Sequence, residues 1–305
     1  MKKINKKQLV KLLILIVIIL ITIIALKPIN KNYEANAWMA KLSDDTIINE
    51  MSIPGTHDSG ALHSIFDVAG KCQDLEIDEQ LKIGVRFLDI RLKLVDNELV
   101  VVHSFVNQDL KFSEVLDDIF SFIDEYNSEF LIISIKEEAS PKNSRVSFEE
   151  EVVNKLKNND NVSFENSMPK TLGLARGKIY ILNRFTGNEI GLNGYYGWQD
   201  SCAFNLNDMY VQDNYSIDNI EVKRQDIINT FEYTINNKCL TFNYLSCYLN
   251  NGFPPLYAGT AAKSINKWLD EYTDNNEIKG VVIIDFATEK LVKKIYMENS
   301  YEESK

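Results

Sequence analysis

Apolar and polar positions alternate along this chain in short blocks. Strand-like runs are predicted at Ile47–Ile53, Gly84–Leu92, Leu99–His103, Phe130–Lys136, Lys178–Asn183, Met209–Asp213, Cys239–Tyr244 and Val281–Phe286. Leu131-Ile132-Ile133 and Val281-Val282-Ile283-Ile284 are continuous apolar runs, the pattern of strands buried on both faces. Helical periodicity falls between them. Ser113 is placed to cap a helix whose Leu116, Ile119, Phe120 and Ile123 share a face, and Ile217–Asn237, Ala261–Tyr272 and Glu289–Asn299 are further helices. No Ser- or Pro-rich linker interrupts the alternation. From Trp38 on, this pattern predicts an α/β fold, a single-domain irregular (βα)8 TIM-type barrel. Phe185–Trp198 and Leu245–Gly259 read as long loops.

The first residues stand apart. Five lysines (2, 3, 6, 7 and 11) precede the 15 uncharged residues Leu12–Leu26. At about 1.5 Å per residue that run spans roughly 22 Å, short of a roughly 30 Å hydrocarbon core. With Ala35-Asn36-Ala37 behind it, residues 1–37 are expected to be a signal peptide or an N-terminal membrane anchor. Residues 38–305 then form the exported domain, secreted or held at the cell surface by an uncleaved segment.

Charge changes the picture once. The chain carries −11, which excludes a nucleic-acid partner. Residues 1–37 hold seven of the lysines and one glutamate, so 26 basic and 43 acidic residues remain beyond them, a net −17. Contact with an anionic membrane must then be apolar and local, or helped by salt. Four cysteines (72, 202, 239 and 247) allow three pairings, among which the sequence does not choose.

Candidate chemistry gathers at strand ends. Met51-Ser52-Ile53-Pro54-Gly55-Thr56 runs into His57-Asp58. In Gly84–Arg91, Asp89 and Arg91 share one face and Leu88 and Ile90 the other. An Arg held by Asp89 suits an anionic group, most naturally a phosphate; a buried structural ion pair is the plainer alternative. His103 ends another run. Lys136 and Glu138 share a face, Arg184 ends Ile179–Arg184, Asp213 and Tyr215 fall on one side, and Asp285 follows Val281–Ile284. Arg91, Lys136 and Arg184 put positive charge where a catalytic metal would sit, and there is no GxSxG. Two histidines and an arginine suit a phosphodiester: one imidazole takes a proton, the other gives one, and the Arg offsets charge on the non-bridging oxygens.

Ser52–Gly60, Gly84–Arg91 and Val101-Val102-His103 together resemble bacterial phosphatidylinositol-specific phospholipase C. The resemblance continues through Ile135–Glu138, Ala175–Lys178, Arg184, Trp198–Asp200, Val211–Tyr215 and Ile284–Phe286. It implies an irregular barrel enzyme, a phosphorus–oxygen lyase active on phosphatidylinositol and open to glycosyl-phosphatidylinositol anchors. That enzyme releases diacylglycerol and inositol 1,2-cyclic phosphate without metal or cofactor, contacts membranes peripherally, and is expected to be a monomer. Carried over, His57 is the base and His103 the acid. Asp285 orients His57, Asp58 supports His103, and Arg91, held by Asp89, clamps the phosphate. Lys136, Arg184 and Asp213 bind inositol hydroxyls, and Tyr215 stacks on the ring. Phe66, Tyr248, Phe253 and Tyr257 are the rim residues that meet a membrane. Two alternatives stay open: a barrel phosphodiesterase acting on glycerophosphodiesters, and an inactive inositol-lipid-binding module.

Overall fold

Ser52–Thr56 (β1) lies at the centre of the sheet, because both of its neighbours pair with it in parallel. A computed structural model describes residues 33–63, 70–104, 106–187, 190–250 and 258–300. In chain order the other strands are Phe87–Val95 (β2), Glu98–His103 (β3), Val106–Lys111 (β4), Leu131–Lys142 (β5), Val162–Ser163 (β6), Ile179–Arg184 (β7), Leu192–Asn193 (β8), Ala203–Leu206 (β9), Met209–Gln212 (β10), Ser216–Ile217 (β11), Leu240–Tyr244 (β12), Tyr248–Leu249 (β13) and Gly280–Ile284 (β14). The strands β7-β5-β2-β1-β14-β12-β10 run parallel side by side. β6 and β8 continue one edge from β7, and β9 pairs antiparallel at the other. Among the described residues this path does not close. The result is the expected α/β barrel in irregular, curled form.

One strand departs from the expected arrangement. The run ending in His103 is not a parallel barrel strand. β3 returns antiparallel along β2, pairing Leu92 with Val101, and β4 returns along β3. This hairpin carries His103 back toward the end of β1.

The helices are Ile77–Lys82 (α1), Phe112–Glu125 (α2), Phe148–Leu156 (α3), Ile220–Asn237 (α4), Ala258–Tyr272 (α5) and Glu289–Met297 (α6), with single turns at Tyr33–Asn36 and Leu172–Ala175. α2 begins one residue before Ser113; Lys111 takes the cap position, and its N–H donates to the Glu114 carboxylate (2.8 Å). α1 and α3 were not legible as helices, being short and largely charged. Ile47 precedes a 3-10 turn, Ile48–Glu50, and the strand starts only at Ser52.

The inner face packs Phe87 against Phe242 and Tyr244. Beneath it, Trp38 stacks on Tyr296 at 5.5 Å. Arg86 is wholly buried there. Its Nη2 lies 2.8 Å from the Glu129 carboxylate and donates to the carbonyls of Ala35 (3.1 Å) and Asn36 (2.7 Å). A buried guanidinium needs such partners, so the backbone at Ala35 and Asn36, at the end of the expected export segment, packs against the floor of the barrel.

Candidate active site

Strand register decides which side chains meet at the mouth. β1 and β14 pair Thr56 with Ile284. The next residues, His57 and Asp285, therefore leave the sheet side by side, and the His57 N–H donates to the Ile284 carbonyl (3.0 Å). Their side chains meet at 2.8 Å, Nδ1 to Oδ1. In the same way β2 and β5 pair Arg91 with Lys136, and β5 and β7 pair Lys136 with Arg184. Three cations thus stand in one row across three adjacent strands.

The chain reverses at Asp58, whose φ of 43° is left-handed, a conformation Asp tolerates better than most residues. The turn is stitched to β2: the Asp58 N–H donates to Asp89 Oδ2 (3.3 Å), the Ser59 N–H to the Asp89 carbonyl (2.8 Å), and the Asp89 N–H to Ser59 Oγ (2.8 Å). Asp58 is wholly buried. One of its oxygens lies 3.4 Å from His103 Nε2 and 3.5 Å from Arg91 Nε, with no hydrogen-bond geometry at either oxygen.

Arg91 links the two halves. Its Nε donates to Asp89 (3.2 Å), and its Nη2 sits 2.7 Å from His57 Nε2. A guanidinium only donates. His57 Nε2 must therefore accept, which puts the ring proton on Nδ1, facing Asp285. Burial pushes the His57 imidazole down and Asp285 pushes it up, with a net position above the ordinary value. In the arrangement seen, the ring is nonetheless neutral, since two N–H groups cannot face each other at that distance.

The other titrating groups divide by environment. Burial pushes Asp58 up to about 7 against the pull of Arg91. Burial also opposes ionisation of Asp89, but Arg91 and Arg184 (3.5 Å away) overcome it and hold the carboxylate well below the usual range. His103 falls to about 4, through burial first and Arg91 second. Asp89 also accepts from Ser134 Oγ (3.1 Å).

The second half of the mouth is polar and aromatic. Lys136 Nζ pairs with Glu138 at 2.6 Å, and Glu138 reaches Arg91 at 3.8 Å. Arg184 lies 3.8 Å from Asp213, with its guanidinium carbon 3.7 Å from the Trp198 ring centre. Trp198 Nε1 donates to Asp213 (3.1 Å). The Tyr215 hydroxyl donates to Asp200, and its ring lies against Tyr248 at 5.8 Å. Tyr248 is exposed on the rim; Phe66, Phe253 and Tyr257 lie outside the described residues.

His57, Asp58, Asp89, Arg91, His103 and Asp285 thus form one cluster, joined by Lys136, Arg184 and Asp213. Tyr215 stands at its margin. Sequence reasoning missed Trp198 as a partner of Arg184 and Asp213, Glu138 as a partner of Arg91, and Cys72, whose Sγ falls within 4.8 Å of ligand atoms on both histidine–carboxylate pairs. Trp198 stood inside a quoted motif, which is its only signal; Cys72 had none.

Fold and mouth together define a class: a parallel α/β barrel that sets two histidine–carboxylate pairs on either side of an arginine. Residues 51–185 match the family described as "Phosphatidylinositol-specific phospholipase C, X domain". A 1-phosphatidylinositol phosphodiesterase of Listeria monocytogenes is 26% identical over 292 residues, covering 90% of this chain and 88% of the relative. One of Staphylococcus aureus is 30% identical over 200 residues, 58% of this chain and 64% of that protein. A structure of the S. aureus phosphatidylinositol-specific phospholipase C superposes with a TM-score of 0.78 at 26% identity, over 89% of this chain and 99% of the other. By sequence and by fold, this chain is similar to these bacterial phosphatidylinositol-specific phospholipases C.

Proposed function

We propose that this chain is an exported phospholipase C that cleaves phosphatidylinositol without metal, as an intramolecular phosphoryl transfer. The observation that carries the proposal is the pair of histidines, each beside its own carboxylate, flanking Arg91. The inositol 2-hydroxyl attacks phosphorus. The new P–O bond closes a cyclic phosphate, and the P–O bond to diacylglycerol breaks. His57 Nε2 takes the hydroxyl proton, with Asp285 stabilising the imidazolium that forms. His103 gives a proton to the leaving oxygen.

Arg91 makes both steps depend on substrate. At rest it covers the lone pair of the base. A phosphodiester draws the guanidinium to its oxygens and frees Nε2 as the hydroxyl arrives. Burial depresses His103 first and Arg91 second; the same anion offsets the Arg91 part and so favours the protonated acid in the complex, with Asp58 beside it to share the proton. Lys136, Arg184 and Asp213 suit inositol hydroxyls, and Tyr215 the ring face. Residues 1–37 serve as the export segment, Tyr248 as a membrane-rim contact; modulation of membrane binding is described for the S. aureus phospholipase. Glycosyl-phosphatidylinositol anchors share the cleaved bond and are a further proposed substrate, with the chain acting as a monomer.

The test is phosphorus NMR of phosphatidylinositol incubated with the full chain in excess chelator. The expected product is a cyclic phosphodiester, lost in His57→Ala and in His103→Ala. Turnover that collapses with chelator, or that survives either substitution near the wild-type rate, overturns the mechanism.

A further inference from the structure

Cys72 has no part in the reaction above, yet it stands between the two halves of the proton relay. Its N–H donates to the Ala61 carbonyl (2.8 Å), and its carbonyl accepts from the Phe286 N–H (2.7 Å). These bonds clamp it between the chain that follows His57 and the chain that follows Asp285. The residue is 1% exposed. One ligand atom from each of Cys72, Asp58 and His103 lies within 4.8 Å of the others, and the same holds for Cys72, His57 and Asp285.

The second set is already engaged, since His57 gives Nδ1 to Asp285 and Nε2 to Arg91. The first is not. Both oxygens of Asp58, itself 0% exposed, and Nδ1 of His103 lack hydrogen-bond partners. Buried polar atoms without partners are uncommon and call for an explanation. Thiolate, imidazole and carboxylate are the donors that zinc takes in proteins, whereas magnesium and calcium avoid sulfur. Ligands at about 2.0–2.3 Å from a tetrahedral zinc stand roughly 3.5 Å apart, so small side-chain rotations close this set around an ion.

We propose that Cys72, Asp58 and His103 form an inhibitory site for a thiophilic divalent cation such as zinc, the fourth position staying open to water. On binding, a Zn–S bond forms and the thiol proton leaves to solvent. The ion brings two positive charges and the thiol gives up one proton, so binding adds one net positive charge beside Arg91 where Asp58 is already a carboxylate, and none where Asp58 is protonated and releases its proton as well. His103 and Asp58 are then withdrawn from the leaving-group proton. The effect on turnover rests on the functional reading above; the binding does not.

The experiment titrates the full chain with cobalt(II) as a spectroscopic stand-in for zinc, and separately assays turnover in zinc chloride. The expected results are a thiolate-to-cobalt charge-transfer band saturating at one equivalent, and a loss of turnover of at least tenfold in micromolar zinc that chelator reverses. In Cys72→Ala the band is absent, turnover without zinc is unchanged, and zinc sensitivity falls at least tenfold. A variant with Cys202→Ser, Cys239→Ser and Cys247→Ser keeps Cys72 as its one thiol and keeps the band, whatever the fate of the alanine variant. No band in the wild type, or a band lost in the triple variant, overturns the site. A band without an effect of zinc on turnover overturns the inhibition. A chain with no phospholipase activity still gives the band, which separates the failure of this proposal from the failure of the functional one.

Discussion

At the scale of single residues, Asp58 sets the pH behaviour of the mouth. Its folded value, pushed up to about 7 by burial, lies above the 3.8 of the free side chain. Between those values the folded chain binds the proton that the unfolded chain has released, so stability falls as pH rises across that window. The cost is complete above about pH 7 and absent below about pH 4. Asn accepts the same left-handed φ and carries no charge. Asp58→Asn is therefore expected to raise the melting temperature at pH 8 by several degrees, to leave it unchanged at pH 4, and to lower turnover by roughly 10²-fold or more. Calorimetry at the two pH values checks the sign; a gain that persists at pH 4 contradicts it. The i, i+2 alternation made the Asp89–Arg91 pair legible in the sequence. The His57–Asp285 contact was not legible from spacing. It spans 228 positions and came only from resemblance, because register across β1 and β14 is a property of the folded sheet. Cys72 was illegible for a related reason: it sits in irregular chain, where no period says which way a side chain points.

At the scale of elements, β1 is the rail on which the base rides. A Cβ at Gly55 would lie 2.9 Å from Phe87 Cβ and Cδ1 and 3.2 Å from Ile283 Cγ1. Both neighbours belong to the flanking strands, so the bare backbone at this position lets three strands approach. Gly55→Ala is expected to cost about 1–3 kcal/mol and to push β1 off its neighbours. Turnover should fall further than stability alone accounts for, since the shift moves His57 away from Asp285. Parallel measurements of melting temperature and kcat on folded protein separate the two effects; an unchanged kcat refutes the argument. Most barrel strands were legible as apolar runs. The direction of β3 was not: Val100-Val101-Val102 reads alike in a parallel strand or a returning hairpin, and only the tight reversal at Asp96 and Asn97, both with positive φ, decides it.

At the scale of the whole molecule, charge and apolar rim compete. A domain of net −17 beyond residue 37 is repelled by an anionic bilayer, and salt screens that repulsion over roughly 10 Å at 0.1 M. Sedimentation with phosphatidylinositol-rich vesicles is expected to strengthen as sodium chloride rises from about 0.05 to 0.5 M, and Tyr248→Ala to weaken it at every salt concentration. Binding that weakens with salt would refute this. The far end of the molecule has a second consequence. Arg86 takes two of its acceptors from Ala35 and Asn36, just upstream of the Ala37 cleavage position expected from sequence. A chain beginning at Trp38 is thus expected to melt several degrees below one beginning at Tyr33, as losing buried acceptors costs about 1–3 kcal/mol; equal melting curves would show that solvent replaces them. On the proposed reading of residues 1–37 as an export segment, where a peptidase cuts becomes a thermodynamic choice. A cut ahead of Tyr33 releases a barrel with its keystone seated, and a cut at Ala37 removes the keystone after the arch has been built around it.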